Sequence, residues 1–248
     1  MTTVAVLADP PVEGVVCPEL AESTPLSDPE CVALYEAMLT DVCRAVESSG
    51  AQLLVNYRPR EHLDLPESVS PKTQVERVVS EAVDAPEAVR YEVQVGSSFA
   101  ARAGNTVTHL LEQEDEGSVH VLEPTVPLVT RQAIDSASMK LRRSSVVAST
   151  ATGGRVGYAG FAAPIDFDGA YDPPAIESLV DSAVDAGLDA DFLPGLQPVR
   201  TASDLATVVA EVRARERAGR IHPSATADVI DRLGLRVTEG DSPTVTLS

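Results

Sequence analysis

Residues 3–8, Thr-Val-Ala-Val-Leu-Ala, form a short apolar run that turns polar at Asp9, and residues 51–57, Ala-Gln-Leu-Leu-Val-Asn-Tyr, form a second. Between them, Ser27-Asp28-Pro29-Glu30 opens a helix, with serine at the N-cap, proline in the first turn and glutamate where a capping box needs it. Tyr35, Met38, Leu39, Val42 and Val46 then recur at intervals of three and four, the period of one buried helical face, and Gly50 ends the run. Strand, helix and strand in this order predict a βαβ unit, hence a parallel sheet with helices against its faces.

The alternation continues in both senses along the chain. The spacing predicts helices over 70–83, 97–113 (despite Gly104), 130–143, 174–186 and 203–217. Strands are predicted over 89–95, 118–122, 145–149, 155–161 and 189–193. The expected fold class is α/β, a three-layer α/β/α arrangement around a mostly parallel, Rossmann-like sheet. Residues 1–219 are expected to form that domain. Residues 220–248 are expected to add a small extension packed on it, with a helix over 224–233 and edge strands over 235–238 and 244–247. In open α/β sheets the ligand crevice lies beyond the carboxyl ends of the strands. Five loops therefore become the places to look for chemistry, those beginning at Asp9, Asn56, Gln94, Glu123 and Thr150.

Charge narrows the setting and the partners. There are 38 acidic residues against 19 basic ones, a net charge of −19, and only Lys72 and Lys140 are lysines. Such self-repulsion destabilises a compact state at low ionic strength and is screened by concentrated salt, where the Debye length falls to ~3 Å at 1 M. The acids are spread along the whole chain and not gathered in one tail, so a salt-rich cytoplasm, as in halophilic archaea, is the expected setting. A chain this acidic lacks the basic footprint that nucleic acid requires. No apolar run approaches the ~20 residues of a membrane helix, and the start of the chain reads as a first strand, not a signal peptide. Cys17, Cys31 and Cys43 form neither a C-x-x-C pair nor an even set, so they predict no disulfide framework or zinc site. His62, His109, His120 and His222 are scattered and read as surface or satisfied residues.

Familiar motifs are missing: no G-x-G-x-x-G follows the first strand, and there is no Walker A and no G-x-S-x-G. The glycines at Gly153, Gly154, Gly157 and Gly160 sit where a hairpin turn is predicted, and a turn with close strand packing explains them.

The loop after the first strand, Asp9-Pro10-Pro11-Val12-Glu13-Gly14-Val15-Val16-Cys17-Pro18-Glu19-Leu20, resembles the opening signature of the nucleotide-diphospho-sugar transferase superfamily of glycosyltransferase-A type. More narrowly, it resembles a branch catalogued as a domain of unknown function, whose pattern reads Ala-Lys-Pro-Pro-x-x-Gly-x-x-Lys-Thr-Arg-Leu. Ala8, Pro10, Pro11, Gly14 and Leu20 match, while Asp9, Cys17 and Glu19 stand where that pattern has cations. Gln94-x-Gly96 followed by Arg102 matches a second motif, and Arg102 reads either as a ligand contact or as a structural ion pair. Glu123-Pro124-Thr125-Val126-Pro127 takes the place of Gly-x-Asp-x-Pro, which puts Thr125 at the position of a metal-binding aspartate with Glu123 two residues before it. Thr152-Gly153-Gly154-Arg155-Val156 stands for Asp-Gly-Gly-Tyr-Tyr. Thr201-Ala202-Ser203-Asp204-Leu205 matches a closing motif whose leading aspartate is here Arg200. The resemblance spans roughly residues 2–215.

What the resemblance implies is a divergent nucleotide-sugar-type glycosyltransferase or nucleotidyltransferase, with a nucleotide or nucleotide sugar as partner and Mg²⁺ or Mn²⁺ as cofactor only if it is active. The implied ligand-binding residues are Asp9, Gly14, Gln94, Gly96, Arg102, Glu123, Thr125, Gly153, Gly154, Arg155 and Arg200; catalytic residues and metal ligands are not assigned. An active enzyme requires Arg58, Arg102, Arg155 and Arg200 to converge, because phosphoryl chemistry needs oriented positive charge. The alternative is a catalytically inactive homologue that binds a ligand or a protein, favoured by the lost cations and aspartates. A guanylyltransferase-like activity toward a small phosphorylated acid rests on fold analogy alone and ranks below both.

Overall fold

The structure is a computed structural model, and the residues it describes are 1–238 and 244–247. The first unit forms as the sequence predicts: β1 (Thr2–Ala8), α2 (Asp28–Ser49) and β2 (Gln52–Tyr57). Glu30 accepts hydrogen bonds from the Ser27 backbone N–H (2.8 Å) and hydroxyl (2.7 Å), holding the start of α2. The intervening loop contains a short helix the sequence did not signal, α1 (Pro18–Ser23). One turn of helix carries too few residues to establish a period, so only Pro18 marks it.

The chain continues through α3 (Pro71–Ala82), β3 (Arg90–Val93), α4 (Phe99–Glu112), β4 (Ser118–Leu122), α5 (Arg131–Lys140), β5 (Val146–Ser149), β6 (Tyr158–Phe161), α6 (Ala175–Asp185), β7 (Ala190–Leu193) and α7 (Ala202–Arg217). The seven strands form one sheet in the order β3-β2-β1-β4-β6-β5-β7. It is parallel except for β6, which runs antiparallel to both β4 and β5. Buried residues of α2, α3, α5 and α7 cover one face of the sheet, and those of α4 and α6 cover the other. The protein therefore has the three-layer α/β/α fold expected from the sequence.

After β1, β2 and β3 are laid out in one direction, the chain returns across the sheet to place β4 on the other side of β1. That reversal is a topological switch, and it locates the ligand crevice of an open sheet at the carboxyl ends of β1 and β4. Register aligns those ends: Ala8 pairs with Tyr57 of β2, and Val6 pairs with Leu122 of β4.

Beyond α7 lie α8 (Ser224–Arg232), β8 (Arg236–Thr238) and β9 (Thr244–Thr246). The two strands do not extend the main sheet as edge strands. They pair with each other, antiparallel, and pack on α7. The residues between them, 239–243, lie outside the described ones. Asp41 of α2, itself buried, accepts hydrogen bonds from the Ala225 N–H (3.1 Å), the Thr226 N–H (2.7 Å) and the Thr226 hydroxyl (2.7 Å). It thereby satisfies the first turn of α8 from a neighbouring helix, a tertiary substitute for a local N-cap.

Of the two places expected for His120, surface or satisfied, it takes the second at one nitrogen only. It lies in β4 with no exposure, its Nδ1 is 2.7 Å from the Tyr158 hydroxyl, and its Nε2 has no hydrogen-bond partner. Burial lowers its pKa to about 4 from the ordinary 6.5. Between these values the unfolded chain takes up a proton that the native imidazole refuses. The stabilisation is therefore complete above pH 6.5 and is lost as the pH falls toward 4. From pH 6.5 to 5 that loss should be about 2 kcal/mol at 1.36 kcal/mol per unit. Urea denaturation of the wild type and His120→Leu at both pH values measures it; the variant should lack this part of the slope.

Candidate functional site

A crevice of about 290 Å³ opens at the carboxyl edge of the sheet. Each loop that follows β1 to β4 contributes to it: Asp9 after β1, Arg58 after β2, Gln94 after β3, and Glu123, Pro124 and Thr125 after β4. Arg102 and Phe99 reach it from α4, Tyr35 from α2, and Val199 and Arg200 from the segment that leads into α7. The α1 region adds Cys17 and Glu19.

The floor is held by side chains bonded to strand ends. Gln94 donates its side-chain amide to the carbonyls of Ala8 (3.0 Å) and Asn56 (2.8 Å), clasping β1 to β2 where both stop. Asn56 in turn accepts from Thr106 of α4 at 3.0 Å. The Tyr35 hydroxyl accepts from the Asp9 N–H (2.8 Å) and donates to the Asp9 carbonyl (3.0 Å), which fixes the first loop residue. The spacing of Tyr35 marks it only as a core position on its helix, and no local signal connects it with a residue 26 positions away.

Three guanidinium groups converge here, and two are already paired. Arg58 donates from Nη2 to Oδ2 of Asp9 at 2.9 Å, while its Nε lies 2.8 Å from Oδ1 but out of line for a hydrogen bond. Arg200 gives Nη2 to both oxygens of Glu123, at 2.8 Å each. Arg102 makes no ion pair among the described residues, so the structural ion-pair reading of it fails, and its buried Nε has no hydrogen-bond partner. Burial, together with the nearby Arg58, lowers the Arg102 pKa below its ordinary value. The buried Thr125 hydroxyl oxygen is likewise without a partner. Buried polar groups are normally satisfied, so two orphans in one crevice wall are open positions for a ligand or water.

Arg155 does not join the others. It pairs with the buried carboxylate of Asp204, donating from Nη1 to Oδ2 at 2.9 Å. Asp204 also accepts from the Gln197 amide (2.8 Å) and from the N–H groups of Arg200 (3.1 Å) and Thr201 (2.9 Å). Burial pushes the Asp204 carboxyl up, but the hydrogen bonds from Arg155 and Thr201 outweigh it and leave the pKa below its ordinary value. Asp204 is thus the anchor that orients the backbone of Arg200, and Arg155 neutralises the anchor.

The remaining sequence-predicted residues fall outside the crevice lining. Gly14 is exposed at a turn. Gly153 and Gly154 form a short turn between β5 and β6, as the hairpin reading has it, and a Cβ on Gly154 would sit 2.8 Å from Pro174. Gly96 acts one step removed. Its φ is +130°, and a Cβ there would lie 2.8–2.9 Å from Ala101 and Arg102, so glycine lets the loop pass against the first turn of α4. Cys17 lines the crevice, but burial pushes its thiol up to about 12. It is protonated at neutral pH and is not the thiolate that nucleophilic attack requires. Asp9 is also raised above its ordinary value by burial, against the pull of Arg58 and Arg102.

The divalent ion implied by the resemblance does not fit these residues. Thr125 offers a neutral hydroxyl, both oxygens of Glu123 are bonded to Arg200, and Asp9 faces Arg58. Among the described residues no group of three His, Cys, Asp or Glu side chains is arranged to hold a metal ion. Hard divalent cations need several oxygen ligands, usually carboxylates.

With this geometry in view, the likeness to solved structures is specific in fold. A protein from Desulfovibrio desulfuricans G20, provisionally named a nucleotide-diphospho-sugar transferase, superposes with a TM-score of 0.74 over 93% of this chain and 95% of its own, at 17% identity. The two chains share one fold. A cytidylyltransferase from Leptospira borgpetersenii serovar Hardjo-bovis (strain JB197) shares it more distantly, with a TM-score of 0.50, 9% identity and coverage of 93% and 94%. No family model matches the sequence, and no curated protein matches it. The nucleotide-diphospho-sugar transferase resemblance read from short motifs is thus a resemblance of architecture, and at these identities it extends no further. No helix among the described residues is long and apolar enough to cross a membrane.

Gly96→Ala should be costly, since the new methyl meets backbone and the φ is one that L-residues rarely adopt. The expected loss is about 2–4 kcal/mol, from strain and overpacking together. Chemical denaturation measures it; an unchanged midpoint would show that the loop has room to move.

Proposed function

We propose that the chain is a divergent nucleotide-sugar-type glycosyltransferase or nucleotidyltransferase homologue that takes a nucleotide or nucleotide sugar in this crevice. The observation that carries the reading is the pair of unpartnered polar atoms, Arg102 Nε and Thr125 Oγ1, in the wall of a crevice at the topological switch. Arg102, Arg58 and Arg200 supply the positive charge that phosphate groups require, and guanidinium suits phosphate geometry better than ammonium. Two of the solved structures with this architecture carry transferase names, which supports the reading without deciding the substrate. Asp9, Gln94, Glu123, Thr125 and Arg200 are the proposed lining contacts. Gly96 positions Arg102, while Gly14, Gly153, Gly154 and Arg155 shape or brace the surrounding loops.

A second reading, a catalytically inactive ligand-binding or protein-interaction module, is favoured by the internal pairing of Arg58 with Asp9 and Arg200 with Glu123. A crevice that neutralises its own cations holds fewer charges ready for a developing transition state.

Thermal unfolding in concentrated KCl, which screens a chain of net charge −19, tests both readings. A ligand at 100 times its Kd adds about 2.7 kcal/mol, worth roughly 5–10 °C in a chain of this size. Nucleoside diphosphates, triphosphates and nucleotide sugars should produce such a shift, with Arg102→Gln abolishing most of it. A flat response across the panel, from a folded sample, sinks the nucleotide reading. Stabilisation without any turnover of donor and acceptor, followed by phosphorus NMR, selects the inactive module.

A further inference from the structure

We propose that the crevice holds the phosphate groups of its ligand without a divalent ion, the guanidinium of Arg200 standing where an ion's charge would be needed. The inference deepens the nucleotide reading above and rests on it. It starts from the disagreement between the implied metal and the residues present.

Position 125 has a hydroxyl where the family pattern has a carboxylate, and position 200 has a cation where it has another carboxylate. The two positions are neighbours in space: the Val199 N–H donates to the Thr125 carbonyl at 2.8 Å, which sets the root of Arg200 beside Thr125. Where the resembled pattern has two acids side by side, this chain has one hydroxyl and a built-in cation. Three guanidinium groups face one small crevice, Asp9 and Glu123 are engaged by two of them, and Glu19 lies at the exposed rim. The lining therefore offers a cation no free cluster of carboxylates, while Arg102 and the outer nitrogens of Arg200 offer donors to an anion.

The pairing of Arg200 leaves it free to serve. Only Nη2 is given to Glu123, so Nε and Nη1 remain as donors for an anion. The Arg200 side chain is 41% exposed and that of Glu123 only 10%, so the carboxylate lies beneath and the guanidinium is on the solvent side. A phosphate arriving from the crevice mouth meets Arg200 before Glu123, with the Arg102 Nε and the Thr125 hydroxyl as further unpaired groups. In the free protein Glu123 compensates the charge of Arg200. With ligand bound, phosphate and Glu123 compete for it, so Glu123 weakens binding.

That competition gives a test of opposite signs. Isothermal titration in concentrated KCl, with inorganic diphosphate and with ADP, CDP, GDP and UDP as probes, is run in EDTA and again with Mg²⁺. Diphosphate and at least one nucleoside diphosphate should bind equally well in EDTA. Arg200→Gln should weaken them by roughly 10- to 100-fold, the worth of a charge-assisted hydrogen bond. Glu123→Gln should tighten them by roughly three- to tenfold. Because Arg200→Gln strips a buried carboxylate of its partner, the neutral pair Arg200→Gln/Glu123→Gln provides a second variant, and the gain from Glu123→Gln must vanish in it. Binding that requires Mg²⁺, or that weakens in Glu123→Gln as it would for a lost metal ligand, overturns the inference and leaves the nucleotide reading standing. Nucleoside diphosphate binding that is unchanged in both Arg200 variants overturns it in the same way. No binding of any probe with or without Mg²⁺ overturns both.

Discussion

β1 is hydrogen-bonded along both edges and covered on both faces, with Val4, Ala5, Val6 and Ala8 wholly removed from solvent. A strand enclosed in this way fixes the level at which its neighbours end, since sliding any of them by one residue would exchange the side chains packed into the two helical layers. The register sets Ala8 beside Tyr57, so the residues that follow, Asp9 and Arg58, emerge together and pair. On the other edge Val6 lies beside Leu122, so Glu123 emerges next to the same opening. Gln94 then clasps the ends of β1 and β2 from the third strand. The crevice is a consequence of strand pairing made before any ligand is considered.

Electrostatics decides what such an opening can hold. Guanidinium groups removed from water need partners, and the chain supplies Asp9 for Arg58, Glu123 for Arg200 and Asp204 for Arg155. Arg102 is the one of these four with no ion pair, and its buried Nε has no hydrogen-bond partner. The substitutions that remove positive charge from the first loop are therefore one side of an exchange. Acids appear where the pattern has cations, at Asp9 and Glu19, while a cation appears where it has an acid, at Arg200. The crevice stays near charge balance, with its positive charge moved from the β1 loop to the segment before α7.

Long, strongly periodic elements were legible from the residues alone. The helix from Asp28 and the strand Ser118–Leu122 are set by apolar spacing and capping residues, which are local properties. The extent of the sheet was legible too, but not its order, because nothing local says that β6 inserts between β4 and β5. α1 is too short to carry a period, and the two C-terminal strands chose each other over the main sheet. His120 looked like any polar residue in a strand, yet the sheet places it inside a packed layer.

In the crevice the division is sharper. The sequence by itself determined that the loops after β1 to β4 would border it, although it added the loop at Thr150, which does not, and that a threonine and an arginine stand at positions 125 and 200, where the resembled pattern has aspartates. It did so because these follow from residue type and from the rule that open sheets bind at their carboxyl ends. Only the tertiary structure decided that Arg200 bonds Glu123 across 77 positions, that Arg155 braces Asp204 instead of facing the opening, and that Tyr35 and Gln94 are spent on backbone. Those are choices among partners of equal chemistry, and with 38 acids available to 17 arginines, proximity in the folded chain is what selects one.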